Sequence, residues 1–254
     1  MITECQSILV DRAVFGSSNQ GAIQGYQLVS WSSGIDAEIS KELCQWAPTR
    51  LHRTDTEDFR LPWLAMAFPI GANRMAIGRT CVAVQEYSGR GGANIVTTFI
   101  ILDASQWQAY NFDALGVLQF AMALGHVRLA PGPTNGNLSR LQLPATLPLS
   151  SATFFGFRNR PSQGDSLPDL ALLDQWAKEV EHGKRLILVG LNNTLGVMAE
   201  LTQRLSGAAR QRFSFSTGLP LSVHRPFQVH CLDESAYRHQ IALVGWLADT
   251  VYQQ

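Results

Sequence analysis

The sequence predicts an α+β protein made of a β-rich mixed N-terminal domain followed by a small α/β layered C-terminal domain. Two observations indicate this fold class. Most of residues 1–130 consist of runs rich in β-branched and aromatic residues, separated by turn clusters. Residues 166–254 instead alternate helical stripes with short apolar runs, which is typical of a layered α/β unit. The length of 254 residues also favours two domains over one.

The N-terminal domain is predicted to begin with a hairpin. Residues 8–15 and 24–31 are both β-prone, and the Gly- and Ser-rich cluster between them is a turn signal. Apolar residues at helical spacing then predict a helix from Ile35 to Trp46, which Pro48 ends. The later predicted elements are strands at 63–70, 75–87 and 95–102, and a helix after Asn111 as its cap.

A connection rich in Pro and Gly, residues 131–165, separates the two predicted domains. It contains apolar residues such as Leu141 and Phe154, which are expensive to leave in water at about 25 cal/mol per Å². We therefore expect this connection to wrap around the protein rather than to act as a loose tether.

The C-terminal domain, residues 166–254, is predicted to contain three helices and three strands. The apolar run 186–189 predicts a strand covered on both faces. The candidate cap of the next helix is Asn193 or Thr194, and that of the final helix is Asp233 or Ser235. In the final helix, Ile241 and Val251 are expected to face the core. The other predicted elements are helices at 170–183 and 194–205 and strands at 213–216 and 227–231.

Composition excludes several classes of protein. Twenty basic residues balance twenty acidic ones, so no net positive field would hold a nucleic acid. No apolar run approaches the ~20 residues of a membrane-spanning helix. The four cysteines form no CxxC pair, and neither they nor the histidines have the spacing of a common metal site. We expect buried thiols, a cytoplasmic location, no metal and no cofactor.

The first candidate binding segment is the loop from Ser88 to Asn94. Its three glycines would permit close approach to the backbone, and Arg90 carries a fork of donors suited to a carboxylate or phosphate. A solvated arginine on an ordinary hairpin loop is the alternative.

The second candidate segment follows the predicted strand at 213–216. Ser216 and Thr217 would lie at a strand end, and His224 follows a few residues later. These residues could serve a small-ligand or nucleotide sensor, or a weak hydrolase. However, the sequence offers no acidic residue to orient the histidine and no GxSxG elbow, so no catalytic residue is assigned and an enzyme is not expected.

Three motifs together resemble the bacterial GTPase-associated protein 1 family. The first is a glycine turn at 16–18 followed by Gly25-Tyr26-Gln27 and then Ser33-Gly34-Ile35. The second is the Ser88–Asn94 loop ahead of Phe99–Asp103, although Ala93 splits its glycine–asparagine step and Thr97 and Thr98 occupy the region of an expected histidine. The third, Phe213–Leu219 with Arg225-Pro226-Phe227, is similar to the middle domain of that family.

The resemblance implies a non-enzymatic adaptor. Such a protein would bind a GTPase or an effector in a bacterial conflict or signalling system. The residues that match the motifs are then expected to serve architecture or partner contact rather than chemistry. The candidate interface residues, including His224 from the second segment, are Gly25, Tyr26, Gln27, Gly89, Arg90, Ser216, Thr217, His224 and Arg225.

Overall fold

The computed structural model describes residues 7–18, 25–51, 64–85, 93–127, 136–146 and 167–253. Three features predicted from the sequence lie outside these ranges: the loop that carries Gly89 and Arg90, Phe154 of the connection, and Cys5.

A single mixed sheet of eleven strands runs through the described residues. Ten of the strands follow the order β11-β8-β10-β9-β3-β4-β5-β1-β2-β6, and β7 pairs with β1 off this path. The strands are β1 (Ser7–Ser18), β2 (Gly25–Ser32), β3 (Leu64–Ile70), β4 (Arg74–Gln85), β5 (Ala93–Asp103), β6 (Gly136–Leu138), β7 (Leu141–Pro144), β8 (Leu186–Val189), β9 (Phe215–Ser216), β10 (Val229–Leu232) and β11 (Thr250–Gln253).

The N-terminal strands β1 to β5 form the antiparallel part of the sheet. β1 pairs with β2 from Ala13 opposite Trp31 to Ser18 opposite Gly25, which confirms the predicted hairpin. β1 also pairs with β5, and β4 pairs antiparallel with both β3 and β5. The C-terminal strands form a parallel part, in which β8 lies between β10 and β11.

Strands β3 and β9 join the two parts of the sheet. They run antiparallel over a short register in which Met66 lies opposite Ser216 and Ala67 opposite Phe215. We call this junction the β3–β9 seam. Because of it, one sheet extends across both predicted domains, and the boundaries at 130 and 166 stay a prediction.

Seven helices pack against the sheet in the described residues. Each begins directly after an Asp, Asn or Ser whose side chain accepts a backbone N–H of the first turn, the usual way of satisfying a helix N-terminus. Of the two candidates offered for each of two C-terminal helices, Asn193 and Asp233 are the caps observed. The third helix is capped by Asp113 rather than by Asn111. The helices are α1 (Ala37–Trp46), α2 (Ala104–Ala109), α3 (Ala114–Ala123), α4 (Leu170–Glu181), α5 (Thr194–Arg204), α6 (Gly207–Arg212) and α7 (Glu234–Leu247).

Buried apolar side chains form three clusters. The first joins residues of both predicted domains, among them Val10 and Trp176. The second lies under α1, and the third lies between β8 and α7. Strand β8 is buried along its whole length, as its continuous apolar sequence predicted: Leu186 and Leu188 belong to the first cluster, Ile187 and Val189 to the third.

Helix α7 departs from the prediction on one face. Ile241 was expected in the core but is 61% exposed, and Trp246 is 84% exposed. Val251, assigned to the same helix from the sequence, lies instead in β11, because α7 ends at Leu247. Of the cysteines expected to be buried, Cys81 and Cys231 are buried while Cys44 is only half-buried.

Candidate functional site

Gly25, Tyr26 and Gln27 begin β2 at one end of the antiparallel sheet. Tyr26 lies opposite Ser17 near the end of β1, and the other two pair with its neighbours. Gly25 has φ of 126°, a left-handed conformation that a residue with a Cβ adopts only under strain. The glycine of this motif is therefore required by the backbone where the strand begins.

Tyr26 connects three strands at this end of the sheet. Its ring stacks on Phe15 of β1 with centroids 5.8 Å apart, and its Oη accepts a hydrogen bond from the Ile95 amide of β5 at 3.2 Å. Because β1 lies between β2 and β5, this side chain spans β1 to reach β5. Ile95 lies two residues after the start of β5 and directly follows Asn94, the last residue of the second family motif.

Ser216 and Thr217 lie at the β3–β9 seam and are buried. Ser216 Oγ accepts from the Leu219 amide at 3.2 Å. Thr217 Oγ1 accepts from the Ala65 amide at 2.8 Å and donates to the Ala65 carbonyl at 3.2 Å. Both hydroxyls therefore hold backbone groups in place.

The residues after Thr217 continue this tight packing. Gly218 has φ of 135°, and a Cβ there would approach Leu64 Cδ2 at 3.0 Å. Leu219 is fully buried, and its carbonyl accepts a hydrogen bond from Nε2 of His230 on β10. Burial lowers the pKa of His230 to about 4, with the nearby Arg225 charge acting in the same direction and the Leu219 hydrogen bond opposing it. His230 is therefore neutral at pH 7.

His224 and Arg225 lie in the turn that precedes β10. His224 is exposed, and its amide donates to Ser222 Oγ at 3.3 Å. Arg225 is half-buried and donates from Nη2 to the Pro220 carbonyl at 3.1 Å. Burial and, to a smaller extent, the positive charge of Arg50 lower the pKa of Arg225. Sequence reasoning grouped Arg225 with its own motif and missed its proximity to Arg50.

The candidate residues thus fall into two groups on different parts of the sheet. Tyr26 and its neighbours lie on β2, whereas Ser216 and the residues after it lie at or beyond β9. Strands β3, β4, β5 and β1 separate β9 from β2 in the sheet order. Gly89 and Arg90 lie outside the described residues. The strands that flank them in sequence are β4 and β5, which pair with each other, and β5 also pairs with β1.

A buried polar cluster around Asp11 also lies close to one of the matching motifs. Asp11 Oδ1 accepts from Ser32 Oγ at 2.7 Å, and Oδ2 accepts from Arg140 Nη2 at 3.1 Å. A Cβ at Gly34 would overlap the Asp11 carboxylate, so this position requires glycine. Sequence analysis could not predict this cluster, because its members come from β1, the end of β2 and the residue before β7.

Neither a metal site nor a membrane span emerges from the described residues. No group of three or more His, Cys, Asp or Glu side chains could hold a metal ion within these ranges. Likewise, no helix in the described part of the chain is long and apolar enough to cross a membrane.

Comparison with known proteins identifies the family of the N-terminal part. Residues 9–132 match the family model described as GTPase-associated protein 1, N-terminal domain type 2. This stretch of the chain belongs to that family, which confirms the resemblance seen in the β1–β2 motif and the Ser88–Asn94 loop. The match ends at residue 132, so the likeness of Phe213–Leu219 to the middle domain stays a prediction. No curated protein and no solved structure matches the chain.

Proposed function

We propose that this chain is a non-enzymatic adaptor that binds a GTPase or an effector in a bacterial conflict or signalling system. The observation that carries the proposal is the family match, because the description of the family names association with a GTPase. Free thiols at Cys44, Cys81 and Cys231 are in keeping with a reducing compartment, and we propose the cytoplasm.

The end of the sheet that carries Tyr26 is the proposed docking region. Tyr26 and Gln27 are both half-buried, so part of each side chain is accessible to a partner. Their position on the rigid start of β2 would present that surface with little loss of conformational entropy on binding. Arg90, in the neighbouring family motif, would add a donor for an acidic group of the partner.

An affinity pull-down from the native host tests the proposal. The tagged chain is incubated with lysate containing GDP or a non-hydrolysable GTP analogue, and captured proteins are identified by mass spectrometry. We expect one GTPase to be enriched with one of the two nucleotides. Its binding to the purified chain is then measured by calorimetry. Failure to recover any GTPase or effector reproducibly would count against the adaptor role.

Substitutions then test the docking region separately from the role. We expect Arg90→Ala to weaken the purified complex about tenfold, the loss of ~1.4 kcal/mol of binding free energy. Arg212→Ala removes the same charge from the exposed end of α6 and should leave affinity unchanged. Equal affinity for Arg90→Ala and Arg212→Ala would place the interface elsewhere while leaving the adaptor role standing.

A further inference from the structure

An open pocket lies between the segment after α1 and helix α7. Its volume is about 430 Å³, within the range of small-molecule sites. The pocket lies between the second and third apolar clusters, since Leu51 packs against the former and Leu221 belongs to the latter. The described lining residues are Arg50, Leu51, Leu221, His239, Gln240 and Leu243.

One wall of this pocket is held in place by a buried hydrogen bond. Oε1 of Gln240 accepts from the Leu221 amide at 2.6 Å. Gln240 is only 9% exposed, and Leu221 is 7% exposed. This bond fixes the turn before β10 against α7, so the wall is formed before any ligand arrives.

Among the described lining residues of the pocket, Arg50 carries a positive charge and none carries a carboxylate. Arg225 lines a smaller cavity that shares Leu221 with the pocket, and its charge lies close enough to that of Arg50 for each to repel the other. Among the described residues, none accepts a hydrogen bond from the buried Nε of Arg225. An anion near Arg50 would reduce this repulsion.

We propose that this pocket binds a small organic anion whose charged group pairs with Arg50 and whose apolar body lies against Leu221 and Leu243. Arginine is suited to this role because its planar fork matches carboxylate, phosphate and sulfonate oxygens. The leucines supply the apolar contact that most ligand sites contain beside a few polar groups. This site is distinct from the β3–β9 seam and does not depend on the adaptor role.

Two fluorescent probes of similar shape test the proposal. One is 8-anilinonaphthalene-1-sulfonate, an apolar anion, and the other is the uncharged N-phenyl-1-naphthylamine. We expect the anionic probe to bind the native chain at one saturable site. Arg50→Gln should weaken its binding about tenfold and leave the neutral probe unaffected, since only the charged contact is lost. Leu243→Gln should weaken both probes.

Three controls decide between this pocket and other sites. Arg212→Gln removes a charge outside the pocket and should leave both affinities unchanged. Added salt should weaken only the anionic probe on the native chain, a test that needs no variant. Trp246→Ser removes the most exposed aromatic side chain of α7 and should also have no effect.

Several results would overturn the proposal. These are failure of the native chain to bind the anionic probe, equal affinity in Arg50→Gln and Arg212→Gln, or loss of binding in Trp246→Ser alone. Thermal unfolding of each variant without probe shows whether it is folded. If Arg50→Gln is unfolded, the salt dependence of the native chain decides the matter.

Discussion

The hydroxyl of Thr217 hydrogen-bonds to both backbone polar groups of Ala65, a residue 152 positions away in the chain. The Thr217 amide also donates to the Ala65 carbonyl, at 3.0 Å. Strands β3 and β9 pair over only a short register, so these side-chain bonds extend the seam by one residue beyond its ladder. Thr217, within the Phe213–Leu219 motif, therefore helps to connect the antiparallel part of the sheet to the parallel part.

Thr217→Val is expected to destabilise the protein by about 1–3 kcal/mol, because it leaves the buried Ala65 amide without its acceptor while preserving side-chain shape. The free energy of unfolding from urea titration measures this. The matched control is Thr202→Val on α5, where the hydroxyl only adds a bond to the Met198 carbonyl, at 2.7 Å. Equal losses in the two variants would contradict the assigned role of Thr217.

Gly34→Ala is expected to destabilise the protein by at least about 2 kcal/mol, because the new methyl group must displace the buried Asp11 carboxylate from Ser32 and Arg140. Gly245→Ala provides the comparison. Gly245 is exposed on α7, and a Cβ there meets nothing within 4 Å. Gly245→Ala should raise the free energy of unfolding by about 0.5–1 kcal/mol, because alanine has the higher helix propensity. Calorimetric unfolding measures the change in stability of both variants, which should have opposite signs. Unchanged stability in Gly34→Ala would refute the steric argument.

Tyr26→Phe is expected to lower the free energy of unfolding by about 1 kcal/mol, the typical value of one hydrogen bond. The ring that stacks on Phe15 is kept, so the loss reports the hydrogen bonding of the Tyr26 hydroxyl, which includes the bond from the Ile95 amide. Tyr237→Phe, at a half-buried position on α7, controls for the general effect of removing a phenol hydroxyl. Amide hydrogen exchange should also become faster at Ile95 in Tyr26→Phe. Unchanged exchange there would show that the bond does not protect the start of β5.

The pKa of His230 predicts how stability depends on pH. Its folded-state pKa of about 4 lies below the ordinary value of 6.5. As the pH falls from 6.5 toward 4, this residue is therefore protonated in the unfolded chain but stays neutral in the folded chain. The neutral His230 contributes fully to the free energy of unfolding above pH 6.5. This contribution is lost as the pH falls to 4, by up to about 3 kcal/mol.

Two histidine variants separate this effect from the rest of the acid titration. His230→Gln keeps a donor near the Leu219 carbonyl but does not titrate, so its stability should fall less between pH 6.5 and 4 than that of the native chain. His224→Gln, at an exposed histidine, should retain the native slope. Urea titrations at several pH values measure the slopes, and parallel curves for the native chain and His230→Gln would contradict the low pKa.

Much of the local structure could be predicted from the sequence because its causes are local. The antiparallel pairing of β1 with β2 and the caps at Asn193 and Asp233 are signalled by adjacent residues. Helix α2 was missed, although Asp103 and Gln106 form a capping box that signals it. Strands β6 and β7 were missed because they are short and lie in the Pro-rich connection, where no periodicity marks them.

The long-range relationships could not be predicted in the same way. Ser216 and Thr217 suggested a site at a strand end. However, no neighbouring residue indicated that this strand end would pair with β3, which contains Ala65. The proximity of Arg50 to Arg225 likewise follows from how α1 and the turn before β10 meet. Such contacts depend on the tertiary fold, which residue spacing along the chain does not encode.

The β3–β9 seam also determines the order in which the protein can fold during its synthesis. Strand β3 leaves the ribosome well before β9, since the paired residues are about 150 positions apart. At 5–20 residues per second the interval is on the order of ten seconds. Throughout that time one edge of β3 has unpaired backbone groups, and such an edge can pair with a neighbouring nascent chain. This edge of β3 is therefore open to incorrect pairing until the C-terminal strands are made.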